Sequence, residues 1–257
     1  YRSIARSPYE SIAGDVTPAQ GFALAQKYFG AIPARPAPAR PDVAEGLNAE
    51  EKRIVQADAL AQVPALAVGW KMPARGSADQ APMTVLGALL AGGDASRLYQ
   101  GLVKGRELAL NVDSLYGLTS PWEYDGPTLF TVFALYKPTA SADDLLAAID
   151  GEIAQVAEQG VDDATLARVK TRLLAEWYDG LEMFLDRADT LAKLQTLWGD
   201  AGVANRIPGW IEGVSSADLQ RVARTYLTAA NRTVIDRRPA ALLPQAAPAS
   251  APAKAGK

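Results

Sequence analysis

An α+β layer, rather than a doubly wound sheet, is the fold class this sequence predicts. Strand-like segments gather between residues 53 and 136, helical periodicity takes over from Ser141, and one strand-like run, 232–236, returns near the end. At 257 residues the chain is long enough for one large or two small domains with a substantial buried core. Its 49% hydrophobic and 21% charged content is an ordinary globular balance.

In chain order, residues 11–16 read as the end of a strand and a tight turn. Residues 17–30 form a well-marked helix. Thr17 and Gln20 have capping-box spacing, Pro18 stands at the first helical position, Phe22, Ala25 and Phe29 make an apolar stripe, and Gly30 is a stop. Residues 31–41 carry Pro33, Pro36, Pro38 and Pro41 and read as a semi-rigid linker. Residues 53–57 and 64–71 read as strands, the second a mostly apolar run suited to burial on both faces. Residues 82–91 read as a short apolar helix ending at Gly92-Gly93. Asp94 or Ser96 is placed to cap a following helix bearing Leu98, Leu102 and Val103. Residues 108–115 and 129–136 read as strands joined through 117–126.

The second half is mainly helical. Ser141 and Asp144 have capping-box spacing, and Leu145, Ile149, Ile153 and Val156 line one helix face. Asp162 or Asp163 caps a longer helix with Leu166, Val169, Leu173 and Trp177 at helical spacing. Ser215 and Asp218 open another, with Leu219, Val222, Ala223 and Tyr226 facing inward. Beyond Arg238 the Ala- and Pro-rich composition predicts a disordered tail. The predicted organisation is an incomplete end of a preceding α/β domain (1–33), a Pro-rich linker (34–49), an α+β domain (50–237) and the tail (238–257). The start at Tyr1 and the poor strand pattern of residues 1–11 read as missing or rejoined sequence upstream.

Composition excludes several chemistries. With no His and no Cys, a zinc site within this chain is not expected, since imidazole and thiolate supply most protein ligands to zinc. There is also no disulfide scaffold and no thiol nucleophile. A net charge of −3 gives no basic field for nucleic acid, and no apolar run approaches the roughly 18 residues that span a bilayer. Cytoplasm and periplasm are both compatible; the periplasm is the expectation.

Several ordered segments resemble the insulinase/pitrilysin-like zinc metallopeptidases. Ala13-Gly14-Asp15-Val16, the helix ending Lys27-Tyr28-Phe29-Gly30-Ala31-Ile32-Pro33, and the Pro-rich linker resemble the close of their N-terminal domain. Gly92-Gly93-Asp94-Ala95-Ser96-Arg97-Leu98-Tyr99, Leu102-Val103, Leu108-Ala109 and Tyr136-Lys137-Pro138 resemble their C-terminal domain; the likeness covers residues 11–237. It implies a mixed, largely antiparallel sheet packed against several helices, one half of a clamshell that encloses peptide substrates. The family's zinc motif, His-x-x-Glu-His, has no counterpart here, so the resemblance puts zinc upstream of this segment or in a partner, and this segment alone is expected to be inactive. It further implies a second insulinase-like domain or subunit, as a hetero-oligomer. A runner-up reading is a non-catalytic assembly subunit. In many members the C-terminal domain supplies an Arg and a Tyr that bind substrate. Lys104 stands opposite that Arg and Leu110 opposite the Tyr, with one residue fewer between them. Lys104 keeps a charge without the bidentate fork, and Leu110 has no hydroxyl. Lys104 is therefore the single candidate substrate-binding residue, with no catalytic residue and no metal ligand assigned.

Other readings are weaker. Gly92-Gly93 lacks the spacing of a phosphate loop and suits a positive-φ turn. The pairs Glu50-Glu51, Asp143-Asp144 and Asp162-Asp163 suit capping or solvation better than acid/base chemistry. Glu176, Asp179 and Glu182 read as a solvated helix face. Ser96 has no His base, and Trp177 and Trp198 read as core anchors.

Overall fold

The computed structural model describes residues 11–33, 42–117 and 120–242. Five strands form one sheet: β1 (Lys52–Asp58), β2 (Ala65–Lys71), β3 (Ala109–Tyr116), β4 (Leu129–Tyr136) and β5 (Arg232–Pro239), in the order β1-β5-β2-β4-β3. β1 runs parallel to β5, and the other three pairings are antiparallel. The sheet is thus mixed and largely antiparallel, as the resemblance implies.

Helices cover one face of it: α2 (Gln80–Ala91), α3 (Ala142–Gln159), α4 (Asp163–Asp179), α5 (Phe184–Trp198), α6 (Ile207–Glu212) and α7 (Ser216–Tyr226). The strands show the one-sidedness directly. Leu66, Val68 and Trp70 of β2 and Phe130, Val132, Ala134 and Tyr136 of β4 are buried, while Leu129, Phe133 and Leu135 between them stay exposed. Trp70 stacks on Phe130 at 6.1 Å, and Tyr116 meets Phe130 edge-on. α2 is buried almost all round, because it lies between the sheet and α4, α6 and α7. This corrects the reading of 64–71 as a strand covered on both faces: Ala65 and Ala67 are only half-buried on the second face, where buried Gly69 is covered by the neighbouring Thr131 and Leu129 side chains and not by a helix. An apolar run alone does not distinguish these cases.

Helix starts follow the sequence closely. Ser141 with Asp144 and Ser215 with Asp218 form capping boxes on α3 and α7, and Asp162 Oδ1 accepts the Thr165 N–H at 2.8 Å on α4. α1 (Pro18–Phe29) has the Thr17–Gln20 box too, yet none of its residues is buried. The strand end expected over 11–16 is absent; these residues form a bend. The helix after Gly92-Gly93 spans residues 97–105, and its Tyr99–Gly105 portion is a π-helix. Ser96 does stand at the N-cap position, its carbonyl accepting from Gln100 N at 3.0 Å, but its buried hydroxyl has no partner among the described residues, so the expected side-chain cap is not made. Residues 34–41 of the expected linker and 243–257 of the expected tail lie outside the described residues, as do 1–10. Residues 42–49 hold to the sheet. Asn48 N donates to Asn231 Oδ1 at 3.1 Å, and Lys71 Nζ pairs with Glu45 at 2.8 Å. Among the described residues, no helix is long and apolar enough to cross a membrane.

Candidate functional site

Among the described residues, no helix covers the second sheet face, and the strands build a distinctive surface there. Cα register places Ile54 beside Ile235, Ile235 beside Ala67, and Ala67 beside Phe133, so these side chains share one face across four strands. Ile54, Phe133 and Leu135 are 51%, 44% and 46% exposed. A cavity of about 280 Å³ opens there, lined by Ala65, Ala67, Phe133, Leu135 and Ile235 with Gln56, Asn111 and Arg237 among its polar neighbours. Arg237 Nε donates to Asp58 Oδ2 at 2.6 Å, which neutralises its charge within the rim. Backbone hydrogen bonding from Leu60, joined by Arg237, holds the Asp58 carboxyl below the usual carboxylate range. The surface can therefore accept apolar groups from an extended chain while offering amide and guanidinium groups at its edge.

Lys104 lies at the end of the π-helix, exposed, with Nζ 5.8 Å from the Tyr99 ring centroid. It does not line the cavity. Glu107, at φ +52°, turns the chain from the π-helix into β3. Leu110 falls where the β3–β4 register shifts between Ala109 and Asn111, and it is half exposed. A bulge re-aims the residues around it. Lys104 and Leu110 thus flank a turn and a bulge, with Asn111 reaching the cavity.

The alternative motifs resolve into packing. Arg172 donates from Nη2 to Ala88 O at 2.9 Å and from Nη1 to Gly92 O. The Gly92-Gly93 turn accordingly presents carbonyls to a cation, the opposite of an anion cradle, and Gly93 has φ +79°. Asp144 and Asp162 cap helices, while Asp143 pairs with Arg53 at 2.6 Å. Trp198 Nε1 donates to Trp122 O at 2.8 Å and its ring lies 5.6 Å from Trp210. Glu176, Asp179 and Glu182 are exposed, and among the described residues no three acidic side chains converge to hold a metal. Without His or Cys, the residues present do not fit zinc.

Sequence reasoning missed two polar devices. Arg232, 5% exposed, bonds Glu51 and Asp150, the latter at 2.6 Å. Burial alone would raise the Glu51 carboxyl, but hydrogen bonds from Arg53 and Arg232 overcome it and hold the group low. Tyr136 donates to buried Asp236 at 2.6 Å; burial first, then that bond, pushes its phenol up to about 12. It also passed over the open face: Leu129-Phe130-Thr131-Val132-Phe133-Ala134-Leu135-Tyr136 is apolar at almost every position, a pattern that does not say which face is covered.

The family model described as the Peptidase M16 inactive domain matches residues 11–173. This chain belongs to that family. Over 145 residues, 56% of the chain, the M16 domain is 32% identical to an uncharacterized zinc protease of Streptomyces coelicolor, of which it covers 30%. Its fold is shared with a protease from Helicobacter pylori (TM-score 0.78, 23% identity, 88% of this chain and 54% of that one). It is shared also with an M16 inactive domain from Pseudomonas fluorescens (TM-score 0.71, 16% identity, 88% of this chain and 52% of that one). The M16 domain here thus spans about a third of its curated relative and about half of these solved chains.

Proposed function

We propose that this M16 inactive domain is one wall of a peptide-holding chamber in a zinc metallopeptidase, with the zinc and its water-activating base outside the chain. It supplies substrate-binding surface and contacts to a second insulinase-like domain or subunit. The observation that carries the reading is the open sheet face, where Phe133, Leu135 and Ile235 surround a cavity that the domain's own helices leave uncovered. The zinc-protease name of the S. coelicolor relative supports the chemistry of the whole, and the absence of His and Cys supports its location elsewhere.

The test joins this domain to its zinc-bearing segment or partner. Hydrolysis of a peptide should be chelator-sensitive, and Phe133→Asp with Leu135→Asp should raise KM several-fold while leaving kcat largely intact. An unchanged KM would remove the open face from the path of the substrate. A second reading, a non-catalytic assembly subunit, draws on Lys104 and Leu110 standing where an Arg and a Tyr assist catalysis in many relatives. Absence of chelator-sensitive hydrolysis from every such assembly would favour it.

A further inference from the structure

The turn between α4 and α5 ends the helical layer in an apolar tip ringed by acid. Tyr178, Met183, Phe184 and Leu185 are 57%, 67%, 61% and 77% exposed, and no residue from 178 to 189 is buried. These side chains lie in the layer that covers the opposite side of the sheet from the open face, so a chamber wall leaves them unexplained. Contiguous exposed apolar groups of this size mark interaction sites.

Charge decides the kind of partner. Five acids (Glu176, Asp179, Glu182, Asp186 and Asp189) surround the tip with one base, Arg187, among them; Glu176 is paired with Arg172 at 3.7 Å, so with the flanking bases Arg172 and Lys193 the local net charge is −2. Arg187 is already engaged, with Nε donating to Leu181 O at 2.9 Å and its guanidinium 5.9 Å from the Phe184 ring. Asp189 pairs with Lys193 at 2.6 Å. Among the described residues, Asp179, Glu182 and Asp186 have no ion-pair partner, and all three are exposed. Such a field disfavours nucleic acid and anionic lipid, and a symmetric contact between two tips would set the unpaired Asp179, Glu182 and Asp186 of one against those of the other. From the tip's shape and charge we infer that it docks a cationic amphipathic segment of another protein. The apolar side of that segment covers Met183, Phe184 and Leu185, and its Lys or Arg side chains meet Asp179, Glu182 and Asp186.

The probe is a synthetic amphipathic helix of Lys and Leu, titrated by fluorescence anisotropy into the full chain, with a Glu-and-Leu helix of the same spacing as control. The Lys peptide should bind and the Glu peptide should not. Met183→Ser/Phe184→Ser/Leu185→Ser should weaken binding at least tenfold. Asp179→Asn/Glu182→Gln/Asp186→Asn should weaken it similarly and flatten its salt dependence. All six positions are exposed, so circular dichroism should show both variants folded; Leu185→Ser alone serves if either triple variant is not. Failure of the Lys peptide to bind, or equal binding by wild type and variants, would overturn the inference. So would concentration-dependent self-association that the apolar triple variant abolishes, since the occupant would then be a second copy. Phe133→Asp with Leu135→Asp should leave peptide binding at the tip unchanged, which separates this surface from the open face.

Discussion

Ser215 and Asp218 exchange hydrogen bonds across the first turn of α7: Asp218 Oδ2 accepts from Ser215 N at 3.0 Å, and Asp218 N donates to Ser215 Oγ at 3.2 Å. The Ser215 side-chain and backbone bonds hold the Asp218 carboxyl below its ordinary value. A depressed carboxylate contributes stability that is fully present above its unfolded value of about 3.9 and is lost as pH falls through the lower folded value. Ser215→Ala should therefore cost about 0.5–2 kcal/mol in urea unfolding at neutral pH. It should also reduce the loss of stability seen below about pH 4, because the shift that drives it is gone. An unchanged acid limb would show that Asp218 keeps its depressed value through Arg221, which donates to its other oxygen at 3.1 Å. At Gly92 the constraint is steric. A Cβ there would run into the Arg172 guanidinium and lie 2.6 Å from Ala88 O, so the small residue is needed for α2 to end against α4.

Among the elements, those with a polar cap and an apolar stripe were legible in the sequence. α3, α4 and α7 start at Ser141, Asp162 and Ser215 as their spacing predicts, and β4 covers 129–136. α5 was not legible, because Met183 precedes it without a side-chain acceptor and its first turns carry exposed apolar groups that give no inward stripe. The π turn at Tyr99–Gly105, which packs against β3 and α3, was hidden for another reason: no local sequence pattern marks a wider winding. β1 shows how an element can depend on charge rather than apolar burial. Six of its seven residues are exposed, and it is a parallel edge strand beside β5. Where it starts, buried Arg232 of β5 ties Glu51 to Asp150 of α3. Arg232→Ala should cost about 1.5–3 kcal/mol, since charge-assisted bonds at a buried group are lost. Arg237→Ala, at a side chain 48% exposed, should cost no more than about 1 kcal/mol. Equal costs in denaturant titrations would mean that the β1 edge is not held from its buried end.

At the scale of the molecule, the described residues form a sheet with one finished face and one open one. The strands themselves were legible as apolar runs, but their one-sided burial, at 66, 68, 70 and at 130, 132, 134, 136, was not, because the intervening positions are apolar or small as well. The open face was not, since a sequence reports which residues are apolar and is silent on which neighbours arrive to cover them. Lys104 was found through resemblance alone; no local pattern separates it from any other cation at a helix end. The chain's chemistry limits it in a measurable way: after dialysis, the isolated polypeptide should retain far less than one zinc per chain, and one tightly held zinc would contradict the absence of soft and imidazole ligands. That limit bears on Lys104. An oxyanion donor is commonly worth about 2.7–4 kcal/mol in the transition state, a difference an enzyme cannot easily forgo. Lys104 is exposed at the end of the π-helix, and Leu110 presents no hydroxyl, so this domain offers a point charge without a fork or a phenol. If a second subunit supplies the missing Arg and Tyr, Lys104→Ala in the complete assembly should weaken peptide affinity a few-fold, on the order of the 0–1 kcal/mol of an exposed charge pair. Turnover should remain nearly intact. A fall in kcat of several orders of magnitude, with assembly preserved by sedimentation, would instead place Lys104 against the reacting atoms and make a second, Arg-bearing subunit unnecessary.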